Sequence, residues 1–128
     1  MKARERNYNK QVDINALTQK FVQYLQNDRW KVQNSTDGQK AIIQAQKAGI
    51  LRDLVTADRA LTFTFENTPS GLRVSVGIGK WLKNIGIMAL EAIFLSEIFL
   101  FVDVPEMLWT EHVEKILIKE LEGMINSM

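Results

Sequence analysis

The chain contains no cysteine. That absence excludes disulfides, thiol nucleophiles, iron–sulfur clusters and every thiolate zinc site. It contains one histidine, His112, so an all-histidine metal site is excluded too. No run of five like charges occurs, and with it goes the basic arm common among nucleic-acid binders. There is also no charge-free apolar run of the 18 or so residues that would mark a membrane-spanning helix.

What remains is an ordinary globular composition. The 128 residues are 46% hydrophobic and 24% charged. This length suits one domain, able to bury roughly two-thirds of the surface its unfolded chain exposes. The net charge is +1, but its distribution is uneven. Residues 1–83 carry 14 Lys/Arg against 7 Asp/Glu, while residues 84–128 carry 2 against 8. Such a split implies either two halves that neutralise each other on packing, or a face that meets an oppositely charged partner. The basic stretch Met1–Arg6 is followed by no apolar segment of secretory type, so the cytoplasm is the expected compartment.

Periodicity gives the elements. Residues 1–11 are polar and are predicted to fray. Ile14, Leu17, Phe21, Tyr24 and Leu25 recur at helical spacing. Asp13 stands where an N-cap belongs, and Asn27-Asp28 closes the helix. Four alternating segments follow: Trp30–Asn34, Lys40–Lys47, Ala60–Glu66 and Leu72–Ile78. Asp37-Gly38 reads as a hairpin turn, and Asn67–Gly71 as a second turn. In the later strands Leu61, Phe63 and Phe65, then Leu72, Val74, Val76 and Ile78, alternate with polar or small residues. That pattern predicts an antiparallel sheet with one apolar and one wet face. Val113, Ile116, Leu117, Leu121, Met124 and Ile125 mark a final amphipathic helix after the break at Val104-Pro105. The expected fold is therefore α+β: a four-stranded antiparallel sheet with an N-terminal helix and C-terminal helices packed on one face, in a single domain over residues 1–128.

Two apolar stretches leave their roles open. Ile50, Leu51, Leu54 and Val55 crowd into six positions, ringed by Lys47, Arg52 and Arg59. They form either a helical turn docked on the sheet or an exposed tip that meets a membrane or partner. Residues 84–104 include twelve Leu, Ile, Phe or Val, worth roughly −5 kcal/mol on the membrane-insertion scale. Glu91 and Glu97 add roughly +6, so the sum is near zero. Buried core, subunit interface and marginal membrane segment all stay open for these residues. In the membrane case Trp81 and Trp109 would bracket the segment as an interfacial belt.

No catalytic motif emerges. Gly77-Ile78-Gly79-Lys80 lacks the earlier glycine and the following Ser/Thr of a phosphate loop, whose places hold Val74 and Trp81. It also lacks the third glycine of a dinucleotide fingerprint. Residues four away from His112 are Leu108 and Ile116, so no second metal ligand supports it. Glu91 and Glu97 are six apart, too far round a helix for one acid/base pair. No cofactor is implied.

From Gly77-Ile78-Gly79-Lys80-Trp81 the chain resembles an uncharacterised family of small bacterial proteins. The likeness runs from Ile42 through Trp81 and includes Ala45-Gln46-Lys47, Asp58–Thr62 and Leu72–Val76. Members have an N-terminal helix, strands closing on a Gly-x-Gly-Lys-Trp sequence, a hydrophobic segment and a final helix. Many carry a zinc ribbon and are membrane-associated. This chain has no zinc ribbon, and two glutamates interrupt its hydrophobic segment. The resemblance implies membrane association and supplies no enzyme activity.

The expected function is a non-enzymatic binding or scaffolding module at the cytoplasmic face of a membrane or within an oligomer. Its expected surface is Ile50, Leu51, Arg52, Leu54 and Arg59, with a protein partner, a second copy or anionic lipid as occupant. The alternative is a small-ligand or anion-binding protein, or small enzyme, with a pocket between sheet and C-terminal helices. Arg59, Lys80 and Trp81 would supply its anion contacts. Nucleic-acid binding ranks third, and would require Lys31, Lys40, Lys47, Arg59 and Arg73 on one face.

Overall fold

The computed structural model describes residues 4–47, 59–83, 85 and 111–128. Their order is β1 (Arg4–Tyr8), α1 (Ile14–Asn27), β2 (Lys31–Asp37), β3 (Lys40–Gln46), β4 (Arg59–Thr68), β5 (Gly71–Lys80) and α2 (Glu111–Asn126). The strands form one antiparallel sheet in the order β1-β5-β4-β3-β2. The α+β class and the antiparallel sheet agree with the sequence pattern, but the sheet has five strands rather than four.

The fifth strand comes from the segment expected to fray. Arg4–Tyr8 pairs with β5 from Arg4↔Val76 to Tyr8↔Leu72. Charged residues conceal this strand from a hydrophobicity pattern, because most of its stabilisation is backbone pairing at an edge. Tyr8 fixes it further, its hydroxyl donating to Glu122 Oε1 of α2 at 3.0 Å. Gly71 opens β5 with φ +137°, and a Cβ there would run into the Tyr8 carbonyl and lie 3.0 Å from the Lys10 amide nitrogen. This close approach is one that glycine alone permits.

The helix begins as its sequence dictates. Asp13 accepts from the Ala16 amide at 3.1 Å, capping α1. Ile14, Leu17, Phe21 and Leu25 then point at the sheet with 1% exposure or less. Phe21 meets Phe63 edge to face, with ring centroids 4.8 Å apart and planes at 79°. Ala41, Ile43, Ala45, Leu61, Phe63, Phe65, Leu72, Val74 and Val76 supply that face of the sheet. Leu117, Ile118, Leu121 and Ile125 of α2 join the same core. The β2–β3 hairpin turns at Gly38, φ +57°, the first of two central residues as a type II′ turn needs.

The second face departs from expectation. It was predicted to be wet, yet Ile42, Gln44, Ala60 and Thr62 have no exposed surface, and Thr64 and Gln46 have 6% and 7%. The alternation itself is correct; the inference that polar meant solvated is not. Among the described residues, no helix is long and apolar enough to cross a membrane.

Two outcomes follow. Gly71→Ala should cost about 1–3 kcal/mol through forced backbone displacement, with faster amide exchange in Arg4–Tyr8 than elsewhere in the sheet. Burial and the Glu122 contact raise the Tyr8 pKa above its usual value near 10. A raised folded pKa means the stabilisation is complete below about pH 10 and lost as pH climbs above it. Tyr24, raised mainly by burial, shares that window. Denaturant titrations between about pH 9 and 11 should therefore show falling stability, and Tyr8→Phe should make the fall shallower.

Candidate functional site

The strand register brings one class of residue to one end of the sheet. β2 starts at Lys31 opposite Gln46, the last residue of β3, and Lys47 follows. β4 starts at Arg59 opposite Lys80, the last residue of β5. Arg29 precedes β2 and Lys83 follows β5. Six cations thus gather at this end, and Asp28 lies among them, paired with Lys47. The opposite end is mixed, since Glu66 lies 3.6 Å from Lys40 and 3.5 Å from Arg73, which also reaches Glu5 at 3.4 Å.

Two lysines at the basic end sit over tryptophan rings. Lys47 Nζ lies 5.6 Å from the Trp30 centroid and Lys31 Nζ 4.9 Å from that of Trp81. Both arrangements hold an ammonium against the negative face of a ring. Asp28 accepts from Trp30 Nε1 at 3.1 Å and from Lys47 at 3.2 Å. The Trp30 hydrogen bond, reinforced by Lys47, holds the Asp28 carboxyl below its usual pKa. Asp28 therefore stays ionised and offsets Lys47, while Arg29, Lys80 and Lys83 are exposed at the same end of the sheet.

The chain leaving β5 is fastened by a buried amide. Gln44 Oε1 accepts from the Leu82 amide at 2.9 Å and from Gln33 Nε2 at 2.8 Å. Its Nε2 donates to the Lys80 carbonyl at 2.7 Å and to Thr62 Oγ1 at 3.2 Å. All four hydrogen-bonding positions of the side chain are used. Gln33 Nε2 also donates to the Leu82 carbonyl at 2.7 Å, and Thr62 passes its own hydroxyl proton to the Ala60 carbonyl at 3.1 Å. Residues 80–82 are thereby held against the second face, and Ile85 beyond them is buried.

Of the expected site residues, Ile50, Leu51, Arg52 and Leu54 lie outside the described residues, as do residues 84–104 apart from Ile85. The backbone sets Arg59 directly across from Lys80; Lys80 is exposed and Trp81 half-buried. The five cations weighed for nucleic acid do not share a surface. Lys40 and Arg73 sit at the mixed end, beside Glu66. Gly77 and Gly79 are strand residues opposite Thr62 and Ala60, not a phosphate loop. No cluster of three or more metal-ligating side chains occurs among the described residues.

Gln33 and Gln44 were missed by the sequence reading. A signal was present: the middle of the inner strands carries Ile42, Gln44, Thr62, Thr64, Ser75 and Gly77 at outward positions, with Lys40, Glu66 and Arg73 only toward the mixed end, where a solvated face usually carries Lys and Glu throughout. No protein-family model, curated protein or solved structure matches the chain.

Replacing Gln44 by Leu leaves at least two backbone groups unpaired, at roughly 1–3 kcal/mol each, so a loss of about 3 kcal/mol is expected. Amide exchange at Leu82 should accelerate more than at the distant Asn67, which donates to the Gln39 carbonyl at 2.9 Å.

Proposed function

We propose that this chain is a non-enzymatic binding module that docks the basic end of its sheet on an anionic membrane surface at the cytoplasmic face. The observation carrying the reading is one of connectivity. Both apolar sequences, Ile50–Val55 and residues 84–104, join the sheet at the end where Arg29, Lys31, Lys47, Arg59, Lys80 and Lys83 gather. Cations that attract lipid headgroups, beside apolar residues that enter the interface, are the two components of peripheral membrane attachment. The likeness of Gly77–Trp81 to a membrane-associated family points the same way, since these residues lead into this end.

Less supports a ligand pocket between the sheet and α2. Phe21, Phe63, Phe65, Leu121 and Ile125 fill that space with at most 1% exposure. The paired positions of Arg59 and Lys80 suit a phosphate group, and a lipid headgroup supplies one.

Flotation with phosphatidylcholine vesicles, with and without phosphatidylglycerol, tests the reading. The protein should float only with the anionic vesicles. Binding should weaken when about 1 M salt cuts the screening length from about 8 to 3 Å. Lys80→Gln with Lys83→Gln removes two surface charges worth about 1 kcal/mol each, roughly a 30-fold loss. Ile50→Ser, Leu51→Ser and Leu54→Ser together should weaken flotation at unchanged charge. Protein that stays in the buffer with both vesicle types contradicts the proposal.

A further inference from the structure

We infer that β2 is a self-association edge, along which two copies of this chain pair antiparallel about Asn34 and merge their sheets into one of ten strands. β2 closes the strand order, and among the described residues no strand pairs with its outer side. Exposed edges are normally blunted by proline, a bulge or a central charge. β2 has none of these. Its seven residues run in unbroken one-to-one register with β3, from Lys31↔Gln46 to Asp37↔Lys40, and its only charges are at its two ends.

Those end charges make the strand complementary to itself. A two-fold axis at Asn34 sets Lys31 of each copy against Asp37 of the other, Val32 against Thr36 and Gln33 against Ser35. Residues that face one another are on the same side of the sheet in both copies, as antiparallel pairing requires. A shift centred on Gln33 sets Lys31 against Ser35 and moves Asp37 opposite Arg29, which lies outside the strand with φ 66°; one centred on Ser35 sets Asp37 against Gln33. Either loses both ion pairs, so the charges select one register. Lys31 and Asp37 are both exposed, and Lys31 would exchange its contact with the Trp81 ring for the ion pair. The other edge behaves oppositely. Pairing β1 with itself about its middle would set Arg6 against Arg6, and three of its five residues are charged. The arrangement is isologous and closes at two copies. Because the axis reverses strand direction, the dimer carries one basic end at each pole.

This inference stands apart from the membrane reading and is tested without lipid. Sedimentation velocity of the full chain over a range from micromolar to millimolar should show a reversible monomer–dimer equilibrium. Lys31→Glu sets two carboxylates together at each end of the ladder, and Asp37→Lys sets two ammonium groups together. Each should weaken the dimer about tenfold, and the double exchange should restore it. Restoration separates pairing from a loss of folding, which two substitutions would deepen rather than cure. Asn34→Cys places the chain's single thiol on the axis, where directly opposed Cα atoms lie about 4.5–5.5 Å apart, within disulfide range. It should cross-link under mild oxidation, while Glu5→Cys on the other edge should not. A monomer at every concentration, single reversals without effect, or a double exchange that fails to restore the dimer would each overturn the inference.

Discussion

The side-chain amide of Gln44 has two donors and an acceptor with two lone pairs, and on a dehydrated sheet face all of these must be met from within the protein. They are met by Gln33, Thr62, the Lys80 carbonyl and the Leu82 amide. That requirement holds the chain against the sheet as it leaves β5, where the Lys80 carbonyl and the Leu82 amide supply two of the four partners. The direction taken by residues 80–82 thus follows from a polar group within the sheet rather than from the apolar core beneath it. Half-satisfied, such a network would be worse than an apolar replacement; fully satisfied, it specifies one path.

The two sides of the sheet consequently do different work. The helix side is closed by aromatic and aliphatic residues, with Phe21, Phe63 and Phe65 at its centre, their rings edge to face or tilted. This side provides the bulk of the apolar burial and holds α1 and α2 in place. The other side carries amides, hydroxyls and glycines beside Ile42 and Ala60, and pins the segment that leads from the basic end. With the core sealed on one side and the network saturated on the other, chemistry is left to the ends and edges of the sheet. Among the described residues, no strand pairs with the outer side of β2, and the cation-rich end presents Arg29, Lys80 and Lys83 as exposed charges.

Much of this was legible in the sequence. Helical spacing located α1 to the residue, Asp13 named its cap, and Asp37-Gly38 located the hairpin, because each rests on local chemistry. β1 was illegible for the converse reason: Arg4, Glu5 and Arg6 carry no apolar pattern, and the strand exists through its pairing with β5 and the Tyr8 contact to α2. Burial of the second face was misread because period two reports which residues share a side, not whether that side meets water. The basic end was invisible as a cluster. Lys31, Lys47, Arg59 and Lys80 are spread along fifty residues, and only the antiparallel register gathers them.

The central claim is that the basic end meets an anionic surface, and hydrogen exchange with and without phosphatidylglycerol vesicles tests it most directly. The account predicts slowed exchange in residues 47–59 and 80–104, which join the sheet at that end. It predicts no change in the Asp37–Lys40 and Asn67–Gly71 turns at the other. Protection at those turns instead, or no protection anywhere with the protein in excess lipid, would contradict it.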